Sequence, residues 1–180
     1  MKKTVILIFI VIITIVLCFT LVHYIDNQSF LFAWILNFML MACTLFFTET
    51  LKSQYTSSYY KQKSWEQNGK IYEVLGINVY RKLLVWIGWE KLNKKNNPVE
   101  KNTNALLQLY NKTKQSESGH LIIFIIVLGF SVFIASKYGI ANALSLLILN
   151  ILLNLYPVLL QRYNRPRIER VLKLRSRTEQ

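Results

Sequence analysis

The sequence predicts an all-α integral membrane protein with about four transmembrane helices and a cytoplasmic, amphipathic, interfacial helical insertion. Three observations lead there. Of the 180 residues, 53% are hydrophobic and only 17% charged, with a mean hydropathy of +0.29, which is too apolar for a soluble domain of this size. Four apolar runs, at residues 5–25, 30–47, 120–136 and 140–160, approach the ~20 residues that cross a hydrocarbon core at ~1.5 Å rise per residue. The net charge of +13 falls almost wholly on one side of those runs.

The first run follows "MKK". It is too long for a secretory h-region, and "CFTLVHYIDNQ" offers no small-x-small cleavage site, so a retained helix is expected. The runs at 30–47 and 120–136 are shorter and borrow length from polar flanks, the latter beginning near His120, whereas 140–160 is full length. Cys18 and Cys43 sit at depths that differ by roughly 10 Å by helical rise, beyond the ~7 Å between bridged Cα atoms. His23 and His120 are expected at opposite membrane faces. Neither a disulfide, nor a metal site, nor a cofactor is therefore expected.

Lysine and arginine set the orientation. Lys2 and Lys3 precede the first run, the segment 48–119 holds twelve basic against six acidic residues, and the tail 161–180 holds seven basic residues. The two short connections on the other side carry only Asp26 and Lys137. One membrane domain spanning 1–180 is expected, in a bacterial inner membrane, with both termini and 48–119 in the cytoplasm. The positive face suits anionic headgroups at ~1 kcal/mol per basic residue near the surface. Nucleic acid is not an expected partner, since nothing resembles a recognition helix or a base-stacking platform. Within 48–119, Trp65, Tyr72, Tyr80, Trp86 and Trp89 are mixed with charges, and Tyr80, Leu83, Leu84 and Ile87 share one helical face, a pattern of the headgroup layer. The polar loop "NKKNNPVEKNTN" then leads to a helical piece over 105–114.

Two polar constellations interrupt the apolar pattern. Asn150, Asn154, Pro157, Gln161 and Arg165 fall within an arc of about 80° at ~100° per residue, and amides inside a span face other helices or a cavity. Pro157 removes a backbone donor and is expected to kink this helix. Pro166 disfavours helix at Arg165, so a break is expected before "IERVLKLRSR". The second constellation, "TKQSESGH", puts Glu117 and His120 three residues apart, where a carboxylate beside an imidazole suits a general base. A solvated flank produces the same spacing.

"QRYNRPRIERVLK", with "TKQSESGH" and "EQNGKIYEVLGINVYRK" upstream, resembles the glycosyl-4,4'-diaponeurosporenoate acyltransferase family of staphyloxanthin-type carotenoid biosynthesis, from about Trp65 to Lys173. The resemblance implies a membrane acyltransferase that esterifies a fatty acyl chain onto a sugar hydroxyl of a glycosylated carotenoid or related glycolipid. It implies His120 as catalytic base and Glu117 as its orienter. Arg162, Asn164, Arg165 and Arg167 become donors to an oxyanion or clamps for donor phosphates, and Gln161, Tyr163, Asn154, Glu66, Gly69, Lys70 and Arg81 further substrate-binding positions. The acyl donor is acyl-CoA or acyl carrier protein, and the acceptor arrives from the bilayer. The alternative is a non-enzymatic membrane subunit that binds anionic lipid or a membrane-protein partner through its arginine-rich motif. The two N-terminal spans depart from the family pattern.

Overall fold

The computed structural model describes residues 2–89, 91 and 103–178, and among them it is helical with no strand. The helices are α1 (Lys2–Tyr24), α2 (Phe30–Leu51), α3 (Lys70–Val74), α4 (Ile77–Trp86), α5 (Thr103–Tyr138), α6 (Ile140–Asn150) and α7 (Tyr156–Thr178). A π-turn, Ile151–Leu155, joins α6 to α7, and two 3₁₀ segments, Ser58–Tyr60 and Ser64–Gly69, precede α3. Four helical stretches are long and apolar enough to cross a membrane: Lys2–Tyr24, Phe30–Leu51, Thr103–Tyr138 and Ile140–Arg175. The chain divides into two compact units, one of residues 1–53 and 118–157, the other of 54–117 and 158–180.

The first unit is built on α2. Ser29 caps this helix, its hydroxyl accepting from the Phe32 N–H at 3.1 Å, which satisfies one of the four orphan donors of a helix start. Phe32, Ala33, Leu36 and Leu40 of α2 are fully buried against Ile123, Val127 and Ile134 of α5 and Ala143, Leu146 and Leu149 of α6. Helix α1 lies along α2, yet only Leu21 of it is buried, while Val5, Phe9, Ile12, Ile15 and Phe19 are exposed. An apolar surface all round a helix is suited to lipid, where the intrahelical backbone bonds leave no polar group unsatisfied. Gly139, at φ +93°, turns the chain between α5 and α6 in a conformation that L-residues rarely adopt.

The second unit packs α3, α4 and the first turns of α5 with α7 and the 3₁₀ segments. Gln67, Asn68 and Gly69 are successive left-handed residues, with φ of +47°, +56° and +92°. In α4 the buried face is Ile77 and Tyr80, while Leu83 and Ile87, expected on the same face as Tyr80, are exposed. Val74, Val79 and Trp86 are also exposed, at 87%, 72% and 83%, so this stretch displays a large apolar surface.

Sequence expectations change in α5 and α7. The helical piece at 105–114 and the run at 120–136 form one 36-residue helix, continuous through Gly119. The polar loop at 93–104 lies largely outside the described residues. The break expected before Ile168 is absent, because α7 continues through Pro166. The side chains of Arg162 and Arg165 are both tied down by hydrogen bonds on either side of the lost backbone bond, which offsets the pre-proline preference. The irregularity sits earlier, in the π-turn before Pro157. Proline has no N–H to return to the carbonyl of Leu153 four residues back, and a turn closed i to i+5 draws instead on the next residue along. The π-turn also winds one more residue per turn, so angles reckoned at ~100° per residue do not carry across it from Asn154 to Gln161.

Candidate active site

In the second unit α7 presents three arginines. Arg162 Nε donates to Glu117 Oε1 at 2.6 Å, Nη1 to Glu66 Oε1 at 2.6 Å and Nη2 to the Tyr59 carbonyl at 3.3 Å. Arg165 Nη2 donates to Glu117 Oε2, Nε to the Thr113 hydroxyl at 3.2 Å and Nη1 to the Tyr60 carbonyl at 3.2 Å. Each guanidinium also lies over a tyrosine ring, Arg162 at 4.5 Å from the Tyr59 centroid and Arg165 at 5.6 Å from that of Tyr60. Glu117 is 0% exposed. Both of its oxygens accept from guanidinium groups, and buried charges persist only when paired and hydrogen-bonded in this way. The geometry makes Glu117 an anchor for two arginines, a different task from orienting an imidazole.

Glu66 closes the knot. Its Oε2 accepts from the Lys63 N–H at 3.0 Å, and its Oε1 from the Tyr72 hydroxyl at 2.8 Å as well as from Arg162. Burial alone would raise its pKa, but the Lys63 N–H, the Tyr72 hydroxyl and Arg162 outweigh burial and hold the carboxyl below its ordinary value of 4.5. Tyr72 is pushed the other way, by burial and by donating to Glu66. A small open recess beside the knot is lined by Tyr60, Gln62, Glu66, Arg162, Arg165, Pro166 and Glu169.

A second cluster forms around Tyr163, which is 5% exposed. Arg167 stacks on its ring at 3.6 Å from the centroid, and Arg81 lies over the same ring at 5.7 Å. The Tyr163 hydroxyl donates to Glu73 at 3.2 Å, and Arg167 Nη2 reaches the same carboxylate oxygen at 3.3 Å. Gly69 fits against this pair, since a Cβ there would stand 3.3 Å from Arg167 Nη1. Lys70 follows it, exposed. Gln161 and Asn164 are half-buried on α7.

His120 belongs to the first unit, where amides tie the helices together. Asn154 Nδ2 donates to Asn37 Oδ1 at 2.7 Å and to Asn150 Oδ1 at 2.9 Å, while Asn150 Nδ2 donates to the Phe124 carbonyl at 3.0 Å. All three asparagines are 0% exposed. His120 lies beside the Asn154 amide and the Leu153 backbone, yet its Nδ1 and the Asn154 Oδ1 are both buried without a hydrogen-bond partner. Unsatisfied buried polar atoms are rare and mark strain, chemistry or a water site.

A family model described as glycosyl-4,4'-diaponeurosporenoate acyltransferase matches residues 56–174. The chain belongs to this family. No curated protein and no solved structure matches it. The acyltransferase match contains both clusters, His120 and the asparagines of α6 and the π-turn, and it leaves α1 and α2 outside. It thus spans the stretch from Trp65 to Lys173 on which the sequence resemblance rested, and it places the chain among acyltransferases of carotenoid biosynthesis.

The structure also draws in residues that sequence patterns did not single out as site residues. Tyr59, Tyr60 and Thr113 supply acceptors to the arginines, Tyr72 and Glu73 pair with the knot and with Tyr163, and Asn37 completes the amide cluster. "SSYY" carried no charge pattern to betray its role, because it contributes main-chain carbonyls. Asn37 was visible only as a lone amide in an apolar run.

Proposed function

We propose that this acyltransferase esterifies a fatty acyl chain onto a sugar hydroxyl of a glycosylated carotenoid or a related membrane glycolipid, with His120 as general base. The sugar oxygen attacks the carbonyl carbon of an acyl thioester, a C–O bond forms, and the C–S bond breaks. The hydroxyl proton passes to the imidazole and from there to the departing thiolate. The reading is carried by a buried imidazole nitrogen without a partner, in a chain of this family. His120 lies beside Asn154 and the Leu153 backbone of the fourth span, while Glu117 holds Arg162 and Arg165 in place. Both termini and the insertion face the cytoplasm, where acyl-CoA or acyl carrier protein is found, and the exposed apolar surface from Val74 to Trp89 rests in the headgroup layer.

The alternative, a non-catalytic subunit that grips anionic lipid through its arginine motif, is disfavoured by the internal pairing of Arg162 and Arg165. The deciding experiment expresses variants in cells that supply the glycosylated carotenoid, and measures the ester by chromatography with membrane protein level as control. Loss of a general base costs about 10²–10⁴-fold in rate, so His120→Ala should leave little ester at normal protein level. Full conversion by His120→Ala would remove the base assignment. A wild-type protein that esterifies no glycolipid offered would transfer the conclusion to the subunit.

A further inference from the structure

The arginines that dominate the motif are already occupied. Arg162 and Arg165 each spend three donors on internal acceptors; both pair with the buried Glu117, and Arg162 pairs with the buried Glu66 as well. Their side chains are only 11% and 5% exposed, so their remaining N–H groups offer an anionic ligand little access. The Tyr163 cluster is different. Arg81 is exposed and enters no ion pair among the described residues, its guanidinium held over the Tyr163 ring. Arg167 is stacked on the same ring, and its side chain is 45% exposed. Its Nη1 is fixed to the Tyr163 carbonyl at 2.6 Å and its Nη2 to Glu73, which leaves Nε–H and the outer hydrogen of each Nη for a ligand. Lys70 is exposed and pairs with no carboxylate among the described residues. The left-handed Gly69 before it brings the backbone close enough that a side chain there would press on Arg167.

We propose that Arg81 and Arg167, both over the Tyr163 ring, form with the exposed Lys70 that follows Gly69 a phosphate-binding site that holds the activated acyl donor by the phosphate of its phosphopantetheine-type carrier. Arg162 and Arg165 are then structural ties. The site rests on the acyl-transfer reading for its ligand. Its chemistry follows from the page: planar guanidinium forks pre-oriented by stacking recognise phosphate oxygens in a paired geometry that an ammonium alone does not reproduce. Glu73, the carboxylate bonded to this cluster, holds Arg167 and the Tyr163 hydroxyl and leaves the positive charge in excess. A lipid phosphodiester shares this chemistry.

The test uses the full chain in nanodiscs of zwitterionic lipid, with equilibrium binding of coenzyme A and of inorganic pyrophosphate as probes. Flotation with vesicles with and without phosphatidylglycerol forms a second arm. Arg81→Gln removes a side chain that carries no hydrogen bond among the described residues, so its folding is expected to be intact. Lys173→Gln, a change of equal charge at an exposed pair with Glu169, is the control. Arg81→Gln and Lys70→Gln should each weaken coenzyme A binding at least tenfold, and Lys173→Gln less than twofold. Equal losses in all three would show diffuse charge attraction and overturn the site. Unchanged coenzyme A binding in Arg81→Gln, with loss only of phosphatidylglycerol-dependent flotation, would assign the cluster to lipid headgroups and overturn the donor role. Coenzyme A binding that depends on Arg81 in a protein that transfers no acyl group would retain the site while the proposed function fails.

Discussion

Glu117→Gln isolates the contribution of the buried knot. The substitution keeps the side-chain volume and removes the charge at a position that is 0% exposed. Arg162 would retain Glu66, but Arg165, with a side chain only 5% exposed, would be left with the Thr113 hydroxyl and the Tyr60 carbonyl as its remaining acceptors. An amide also turns a donor toward one of the two guanidinium groups. Removing one partner of a buried pair costs about 3–5 kcal/mol, mostly because the other charge stays behind. The expected loss for Glu117→Gln lies in that range. Glu66→Gln, whose arginine keeps a carboxylate, should lose about 1–3 kcal/mol. Adding Arg165→Met to Glu117→Gln should recover part of the loss by removing the orphaned charge. Hydrogen exchange read by mass spectrometry on peptides covering 58–73 and 158–175, in nanodiscs, gives the opening free energies. A Glu117→Gln protein within about 1 kcal/mol of wild type, or a double variant worse than either single one, would refute the keystone role.

Two further outcomes are expected. The Glu66 carboxyl is held below 4.5 in the fold, so its contribution is present above that value and is lost as pH falls through the depressed one. The stability gap between wild type and Glu66→Gln, measured by the same exchange experiment at stepped pH, should therefore narrow on acidification below about 4.5, and a gap that stays constant would contradict the assigned pairing. For topology, with Cys18 and Cys43 replaced by serine, cysteines placed at Asn27 and Tyr138 should react with an impermeant maleimide from outside the cell. A cysteine at Lys112 should react only after permeabilisation, and labelling of Lys112 from outside would reverse the orientation.

The four spans were legible because apolar runs of span length have few other uses, and the capped and glycine-marked ends at Ser29 and Gly139 agree with them. The unity of α5 was hidden because Asn111 to His120 is polar, and polarity signals the end of a span without signalling the end of a helix. Pro166 misled for a related reason: its local preference was outweighed by ties reaching back to Thr113 and Tyr60, which no window around residue 166 contains. Arg162, Arg165 and Glu117 were visible as site residues, but their mutual pairing was not, since Glu66 lies 96 positions and Glu117 45 positions from Arg162. Charges far apart in sequence read as available when each is in fact the other's counter-ion.

The continuity of α5 has a consequence for the membrane around it. Its 36 residues extend ~54 Å, while the apolar portion after His120, about 16 residues, covers only ~24 Å of a hydrocarbon core that averages ~30 Å. The helix has no proline and no π-turn, so in a bilayer of that thickness the lipid would thin beside it or flanking polar side chains would snorkel, at fractions of a kcal/mol per Å of mismatch. Thr113 and Glu117 ride on the same rod. Bilayer thickness thereby becomes a variable acting on the depth of a buried carboxylate, and lipids of shorter acyl chain would relieve a mismatch that longer ones impose.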